Sequence, residues 1–530
     1  MTGRLRSQPT NRKYTSDEPP LRAELFSADQ MEQHGKVLAG VHRVSVGRAP
    51  DHLLARLSEN ETALLQCCKA ITGAVKANRR ISPAGEWLLD NFYLIEEQIR
   101  TAKRHLPKGY SRELPRLARG PSAGLPRAYD IALEAISHGD GWVDPGSLAR
   151  FVAAYQKVTP LKLGELWAIP IMLRLALIEN LRRVGQRVAA STRDRERADA
   201  WADQMMAVAE QDPKSLILIV ADMARSNPPM VSSFVAELAR RLQGQSAALA
   251  LPLTWIEQRL SELGLTIEQL VQSETQKQAS AQVSISNSIG SLRLLGAMDW
   301  REFVESLSGV EQKLREDPYG IYSTMDFATR DHYRHAVEKL AKATRLSEVD
   351  VARKAIQLAN AAAGTPATQS NDAARAAHVG YYLIDRGLPQ LKQAAEVHPS
   401  FGGSVLEVAS RFPLPLYLGA IALLTAAFTA GLVAMAPAEL SGAWLALAGA
   451  LAAVCASQFA IALVNWFATL IATPRPLPRL DFSRGIPPAC RTLVVVPTML
   501  TGVENVDDLI EALEVRFLAN RDEHLHFGLL

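Results

Sequence analysis

The sequence predicts a mainly α-helical protein: a multi-helix cytoplasmic domain, two transmembrane helices, and the start of an α/β domain. Three observations lead there. The stretch Phe412–Pro474 contains one charged residue, Glu439. Before it, apolar residues recur at helical spacing and strand-like alternation is scarce. After it, a β-branched run, an amphipathic helix and a second short apolar run follow in order.

The uncharged runs on either side of Glu439, Phe412–Ala438 and Leu440–Pro474, each exceed the ~20 apolar residues that a helix needs to cross ~30 Å of hydrocarbon. In lipid every backbone amide must be paired within its own segment, so these runs are predicted as helices over Leu414–Met435 and Ala443–Ile471. Tyr417, Trp444, Trp466 and Phe467 lie near the ends, where amphipathic rings prefer the headgroup level. A buried hairpin in a soluble core fits less well, because soluble helices rarely run so far without a charge. Arg411 precedes the pair, and Arg475, Arg479, Arg484 and Arg491 follow it. The loop Pro437–Gly442 has no Lys or Arg. The positive-inside rule then puts both flanks in the cytoplasm.

Residues 1–20, polar and with paired prolines, are expected to be disordered and carry no apolar leader. From there to residue 410 the chain reads as helix after helix. Ser82-Pro83 is an N-cap followed by proline at the first helical position. Leu88, Phe92, Ile95 and Ile99 then share one helix face. Pro115–Pro126 is a connector, and helical patterns resume at Tyr129–Ser137 and Leu148–Tyr155. Leu161–Val184 could pass for a membrane span, but Glu165, Arg174 and Glu179 punctuate it, so it is expected to be a core helix kinked at Pro170. Further helices are predicted at Ala198–Glu210, Ser215–Ala224, Met230–Leu242, Leu253–Leu263, Trp300–Leu307 and Tyr333–Ala343. No fixed repeat is visible, which weighs against a simple solenoid.

Composition sets limits on function. A net charge of +3 points to no nucleic acid or other bulk polyanion as partner. Cys67 and Cys68 are adjacent on a helical pattern, Cys455 lies in an apolar run and Cys490 precedes a strand; none has metal-ligand spacing, and a reduced compartment suits them. Residues 475–491 form a Pro/Arg-rich linker. Thr492–Val496 is a strand, Asp507–Leu518 a helix with Leu509, Leu513 and Phe517 on one face, and His524–Leu530 a second strand. This β–α–β order opens a parallel sheet. Two strands cannot bury themselves, so the chain is expected to stop inside a domain, as a truncated frame or a fragment.

The catalytic inventory is short. Neither common phosphate-cradling glycine motif is present, and no Asp-x-Asp pair exists to hold a metal on a diphosphate. His332 and His335 share a helix face with Glu338, but further metal ligands are not evident, so a solvated basic face is the simpler reading. Asp326, Arg330 and Asp331 read as capping and ion-pair residues. Ser284–Ser291 is a loop or a tight helix contact; its composition does not decide between them. A membrane-anchored helical scaffold or sensor is the alternative to an enzyme. A sensor would need a helix continuing out of the second span, which the prolines after Ala472 oppose.

Several stretches resemble the N-terminal portion of bacterial cyclic β-1,2-glucan synthases. They are Leu88–Arg100, Leu106–Leu117, Ala154–Arg183, Ser284–Leu295, Asp299–Glu305, Asp317–His335, Val495–Leu500 and Leu513–Asn520, in the family's order. The resemblance implies a large inner-membrane enzyme that polymerises glucose from UDP-glucose on the cytoplasmic side, trims the glucan and closes it into a ring. It implies a GT-A glycosyltransferase domain, of which only the first strands and helix lie here, and a divalent Mg or Mn ion. Pro497 and Thr498 would then lie beside the uracil and ribose, with Glu504 a further candidate for that pocket. The metal-binding carboxylates and general base would lie beyond Leu530, so no catalytic residue or metal ligand is assigned in this chain. The oligomeric state does not follow from the sequence.

Overall fold

The computed structural model describes residues 18–45, 52–106, 109–364, 375–397, 412–435, 442–471, 477–499 and 502–530. Most of the expected disordered N-terminus, the loop 437–441, Arg411 and Arg475 lie outside them. The described residues form 21 α-helices and four short strands, so the fold is mainly α. The chain divides into two compact units, Met1–Ser308 and Gly309–Leu530. That boundary falls within the region expected as one helical domain over 21–410.

The first unit is built on one helix of 49 residues, Leu163–Gln211. Its opening half is the apolar stretch that could pass for a membrane span. Here Leu166, Ile169, Met172, Leu173, Leu177 and Leu181 are buried in a protein core. Its charged residues are paired by groups from other segments and from the helix itself. Arg127 donates to Glu165 from Nε at 2.8 Å. Glu179, with no exposed surface, accepts from Arg56 Nη2 at 2.6 Å, Asn60 Nδ2 at 2.9 Å, Arg182 Nη2 at 2.9 Å and Arg183 Nε at 2.9 Å. Burial by itself would raise the Glu179 carboxyl, but these donors and the three positive charges hold it well below the usual carboxylate range. Such partners make a buried charge tolerable in a core.

The long helix passes through Pro170 and runs on past Val184, absorbing the segment Ala198–Glu210 that reads as a separate helix. No proline interrupts residues 171–211. Gly185 does not break the helix; it lets the helix approach closely, since a Cβ there would lie 3.3 Å from Leu88 Cδ2. The far half carries a second core, in which Ala202 and Met205 pack with Leu216, Phe234, Leu238 and Ile256 from three shorter helices. Ser82 caps Pro83–Asp90 as expected, accepting from Gly85 N at 3.3 Å. The shared face from Leu88 to Ile99 is divided, because Asn91 separates that helix from Phe92–His105. Asn91 is held there by Arg293, which donates to its Oδ1 at 2.6 Å.

The open question at Ser284–Ser291 is resolved as a tight helix contact within Ile267–Ala297. Asn180 Nδ2 donates to Ser284 Oγ and Ser288 Oγ, each at 3.1 Å, and Ser291 Oγ donates to Gly141 O at 2.8 Å. Gly141 has φ +80°, and a Cβ there would lie 2.4 Å from Ser288 Oγ. A side chain would meet both backbone strain and collision. Gly141→Ala is expected to destabilise the protein by about 1–3 kcal/mol, read as a lower denaturation midpoint. Gly120→Ala, also at positive φ but with open space around it, isolates the strain from the collision. Equal losses from the two variants would remove Ser288 from the explanation.

The second unit has its own helical core, including Val310, Leu314, Tyr333, Val337, Val351, Ile356 and Leu383. Within it the stretch Asp317–His335 folds into a polar knot. Arg334, with no exposed surface, donates to Glu311 Oε2 at 2.8 Å and to Asp331 Oδ1 at 3.1 Å. Tyr322 Oη donates to the same Glu311 oxygen at 2.7 Å. Burial raises the Tyr322 hydroxyl and the adjacent Glu311 charge raises it further, so the proton stays on tyrosine. Asp326 caps Phe327–Lys342 by accepting from Thr329 N. Asp331 and Arg330 are ion-pair residues, as their sequence context implies. His332 and His335 are exposed, and His335 Nδ1 lies 2.9 Å from the Asp331 carbonyl oxygen.

The helices Pro413–Ala434 and Gly442–Ile471 are long and apolar enough to cross a membrane. They pack as a pair, with Phe428 and Phe459 edge to face at 5.1 Å. Tyr417 Oη donates to Asn465 Oδ1 at 2.6 Å. Ala456 and Ala460 are buried, as expected where small side chains let helices approach closely. The segment after the pair does not hang free. Asp326 N donates to Arg479 O at 2.9 Å, Asp481 N to Thr324 O at 2.8 Å, and Arg479 N to Thr329 Oγ1 at 3.0 Å. The chain that enters the hairpin and the chain that leaves it are thus joined to one another.

Candidate nucleotide-sugar edge and a polar cleft

The β–α–β order read from the sequence is present. Strand Thr492–Val496 pairs in parallel with Leu525–Leu529, with Thr492 opposite Leu525 and Val496 opposite Leu529. Helix Val503–Ala519 connects them. Both strands therefore end at one edge, the position at which open α/β sheets bind ligands.

Pro497 and Thr498 lie at that edge, directly after the first strand. Pro497 is exposed and Thr498 half-buried. Thr498 continues the ladder: its N–H donates to Leu530 O at 2.9 Å, and its hydroxyl reaches the same carbonyl at 3.2 Å. Leu530 N in turn donates to Val496 O at 3.0 Å. Glu504 is in the first turn of the connecting helix, and its side chain is outside the described residues. The structure thus brings Pro497 and Thr498 together at the strand end and fixes only the backbone position of Glu504.

The Thr498 hydroxyl is occupied by a backbone carbonyl. Asp522 lies at the opposite end of the strand pair, before Leu525, and accepts from Ile486 N at 2.8 Å through one carboxylate oxygen and from His524 N at 2.9 Å through the other. Those backbone N–H donors hold its carboxyl below the usual range. Asp522 anchors the preceding linker and is not free to bind an ion.

A second recess, in the first unit, was not legible in the sequence. It is a cleft of about 830 Å³ whose lining includes Arg22, Asp194, Arg195, Ser232, Glu274 and Lys277. Glu274 organises it, accepting from Ser191 Oγ at 3.1 Å, Ser232 Oγ at 2.9 Å and Gln278 Nε2 at 2.9 Å. Burial is the main influence on Arg195, lowering its guanidinium pKa despite Glu274 beside it. Hydroxyl, amide and charged groups in one concave surface suit a polyhydroxylated or anionic ligand. The lining comes from segments far apart in the chain, so no local motif announces it.

No protein-family model matches the chain. Among curated proteins, it is 32% identical over 513 residues to the cyclic beta-(1,2)-glucan synthase NdvB of Rhizobium meliloti (strain 1021). The match takes in 96% of this chain and 18% of that relative, so the chain spans less than a fifth of the relative's length.

Proposed function

We propose that this chain is the membrane-anchored N-terminal portion of a cyclic β-1,2-glucan synthase, a glycosyltransferase that polymerises glucose from UDP-glucose. The observation that carries the reading is the identity maintained along 96% of the chain with a protein of that name. The same match covers only 18% of that protein. Accordingly this portion supplies the helical cytoplasmic units, the first membrane hairpin and the first β–α–β of the transferase domain, and not the complete active site. Apolar strand residues such as Leu493 remain exposed, as expected of a sheet that further strands would cover. UDP-glucose, the growing glucan and membrane lipid are the proposed partners. The test is incorporation of label from UDP-glucose by membranes carrying the protein extended through the full transferase domain. Absence of β-1,2-linked product from that form would overturn the assignment.

The proposed topology is a two-pass hairpin in the bacterial inner membrane with both flanks cytoplasmic. Its support is the arginine distribution and the hydrogen bonds that join residues 324–329 to residues 479–481 on the two flanks. Reporter fusions after Gly40 and after Arg484 are expected to give a cytoplasmic signal at both positions. A periplasmic signal at either one excludes the hairpin.

A further inference from the structure

In the first unit, three side chains from two helices converge on one point without any role in the nucleotide-sugar edge. Glu134 and His138 stand one turn apart on helix Arg127–His138, and His34 comes from helix Ala28–Val41. Glu134 Oε2 lies 2.9 Å from His34 Nε2 and 3.3 Å from His138 Nε2. One ligand atom from each residue lies within 4.8 Å of the other two.

The far side of the His138 ring decides what this arrangement holds. His138 Nδ1 is 2.6 Å from the carbonyl oxygen of Glu24. A carbonyl can only accept, so Nδ1 carries a proton, and the neutral ring turns the lone pair of Nε2 toward the Glu134 carboxylate. Two acceptors then face each other, and a positive charge between them, proton or metal ion, satisfies both. An outer hydrogen bond from the second ring nitrogen is the usual device for orienting a histidine that binds metal. The ring is clamped as well: Phe26 stacks on it at 3.8 Å, with an interplanar angle of 9°. Ala23 N donates to Ser137 O and Phe26 N to His138 O, fixing the strap that supplies both contacts.

Position adds to geometry. His138 sits in the last turn of its helix, where the macrodipole is negative and a cation is favoured. The His138 side chain is 10% exposed and Glu134 30%, so the site is sheltered with one side open to solvent. Two imidazoles and one carboxylate form a ligand set suited to Zn²⁺, which takes tetrahedral nitrogen and oxygen ligands and fills a fourth position with water. We propose that His34 Nε2, His138 Nε2 and the Glu134 carboxylate bind one divalent transition-metal ion, zinc by this chemistry. The ion would fasten helix Ala28–Val41 and the strap before it to the end of helix Arg127–His138.

The test uses the whole 530-residue chain in detergent, stripped with a chelator and titrated with Zn²⁺ against a chromophoric competitor. Co²⁺ serves as a spectroscopic substitute. One tight Zn²⁺ per chain is expected, with visible Co²⁺ bands of a four-coordinate site and a melting temperature that rises with Zn²⁺. His34→Gln and His138→Gln are each expected to abolish the tight site while leaving the far-ultraviolet circular dichroism unchanged. His335→Gln, at an exposed imidazole, is expected to keep it. A wild-type chain that binds no Zn²⁺ tightly, or a His34→Gln/His138→Gln double variant that still binds one equivalent, overturns the proposal.

Discussion

Purified in detergent, the 530-residue chain is expected to transfer no glucose from UDP-glucose and to show no saturable UDP-glucose binding, with or without Mn²⁺. Extended through the complete transferase domain, the protein is expected to do both. A nucleoside diphosphate leaving group needs charge compensation, from a metal or from a cluster of basic groups. The edge formed by Pro497 and Thr498 offers an exposed proline and a hydroxyl already donated to Leu530 O. Neither of these compensates a diphosphate. Label from UDP-glucose appearing in acid-insoluble material with the short form would falsify the prediction. In the extended form, Thr498→Trp is expected to abolish incorporation by filling the base and ribose position. Full activity in that variant would remove Thr498 from the pocket.

Glu179→Gln is expected to cost about 3–5 kcal/mol of stability at neutral pH, the range for breaking one partner out of a buried ion pair. Arg56, Arg182 and Arg183 all converge on this carboxylate, and all three have little exposed surface. Glutamine keeps the volume and one acceptor but removes the charge on which three guanidiniums converge, with Glu18 remaining beside Arg182 and Arg183. The pH dependence follows from the direction of the shift. The carboxyl is held below its ordinary value in the folded protein, so its contribution is complete above roughly pH 4.3, the ordinary glutamate value. It is lost as pH falls below that toward the folded-state value. Denaturant unfolding at pH 7 and again at about pH 3.5 is therefore expected to show a large gap between wild type and variant that narrows in acid. A gap below about 1 kcal/mol at pH 7 would mean that the arginines repair one another's loss. Replacing Glu179 and Arg56 together by leucine is expected to cost less than the two single changes summed, because neither leaves the other buried and charged.

Much of the architecture was legible because it rests on local or periodic signals. The length of the two uncharged runs identifies helices that suit a bilayer, since hydrocarbon supplies no partner for a peptide group. Ser82 with Pro83, and Asp326 with Thr329, announce helix starts through one side-chain oxygen and one backbone donor. The run Thr492–Val496, an amphipathic helix and a second run require a parallel pairing, because the connection is too long for a hairpin. The charges at Glu165, Arg174 and Glu179 were enough to reject a third span, since each demanded a partner that lipid lacks.

What the sequence alone could not decide depends on groups brought from afar. Which residues neutralise Glu179 is a matter of packing, because Arg56 lies 123 positions away. Whether Ser284–Ser291 is a loop or a contact depends on Asn180 and Gly141 arriving opposite it. The linker after the hairpin is marked in the sequence only by its prolines and arginines. It is held by the Thr329 hydroxyl and by backbone groups of Thr324 and Asp326, whose hydrogen-bonding capacity every residue type but proline shares and no motif marks. The same holds for His34, Glu134 and His138. Glu134 and His138 are a helical turn apart and can be paired by counting, but His34 lies 100 positions away from Glu134. The Glu24 carbonyl that orients His138 has no side-chain signature at all. Periodicity and capping are written along the chain, whereas ion pairing and convergence on a point are set by the tertiary fold.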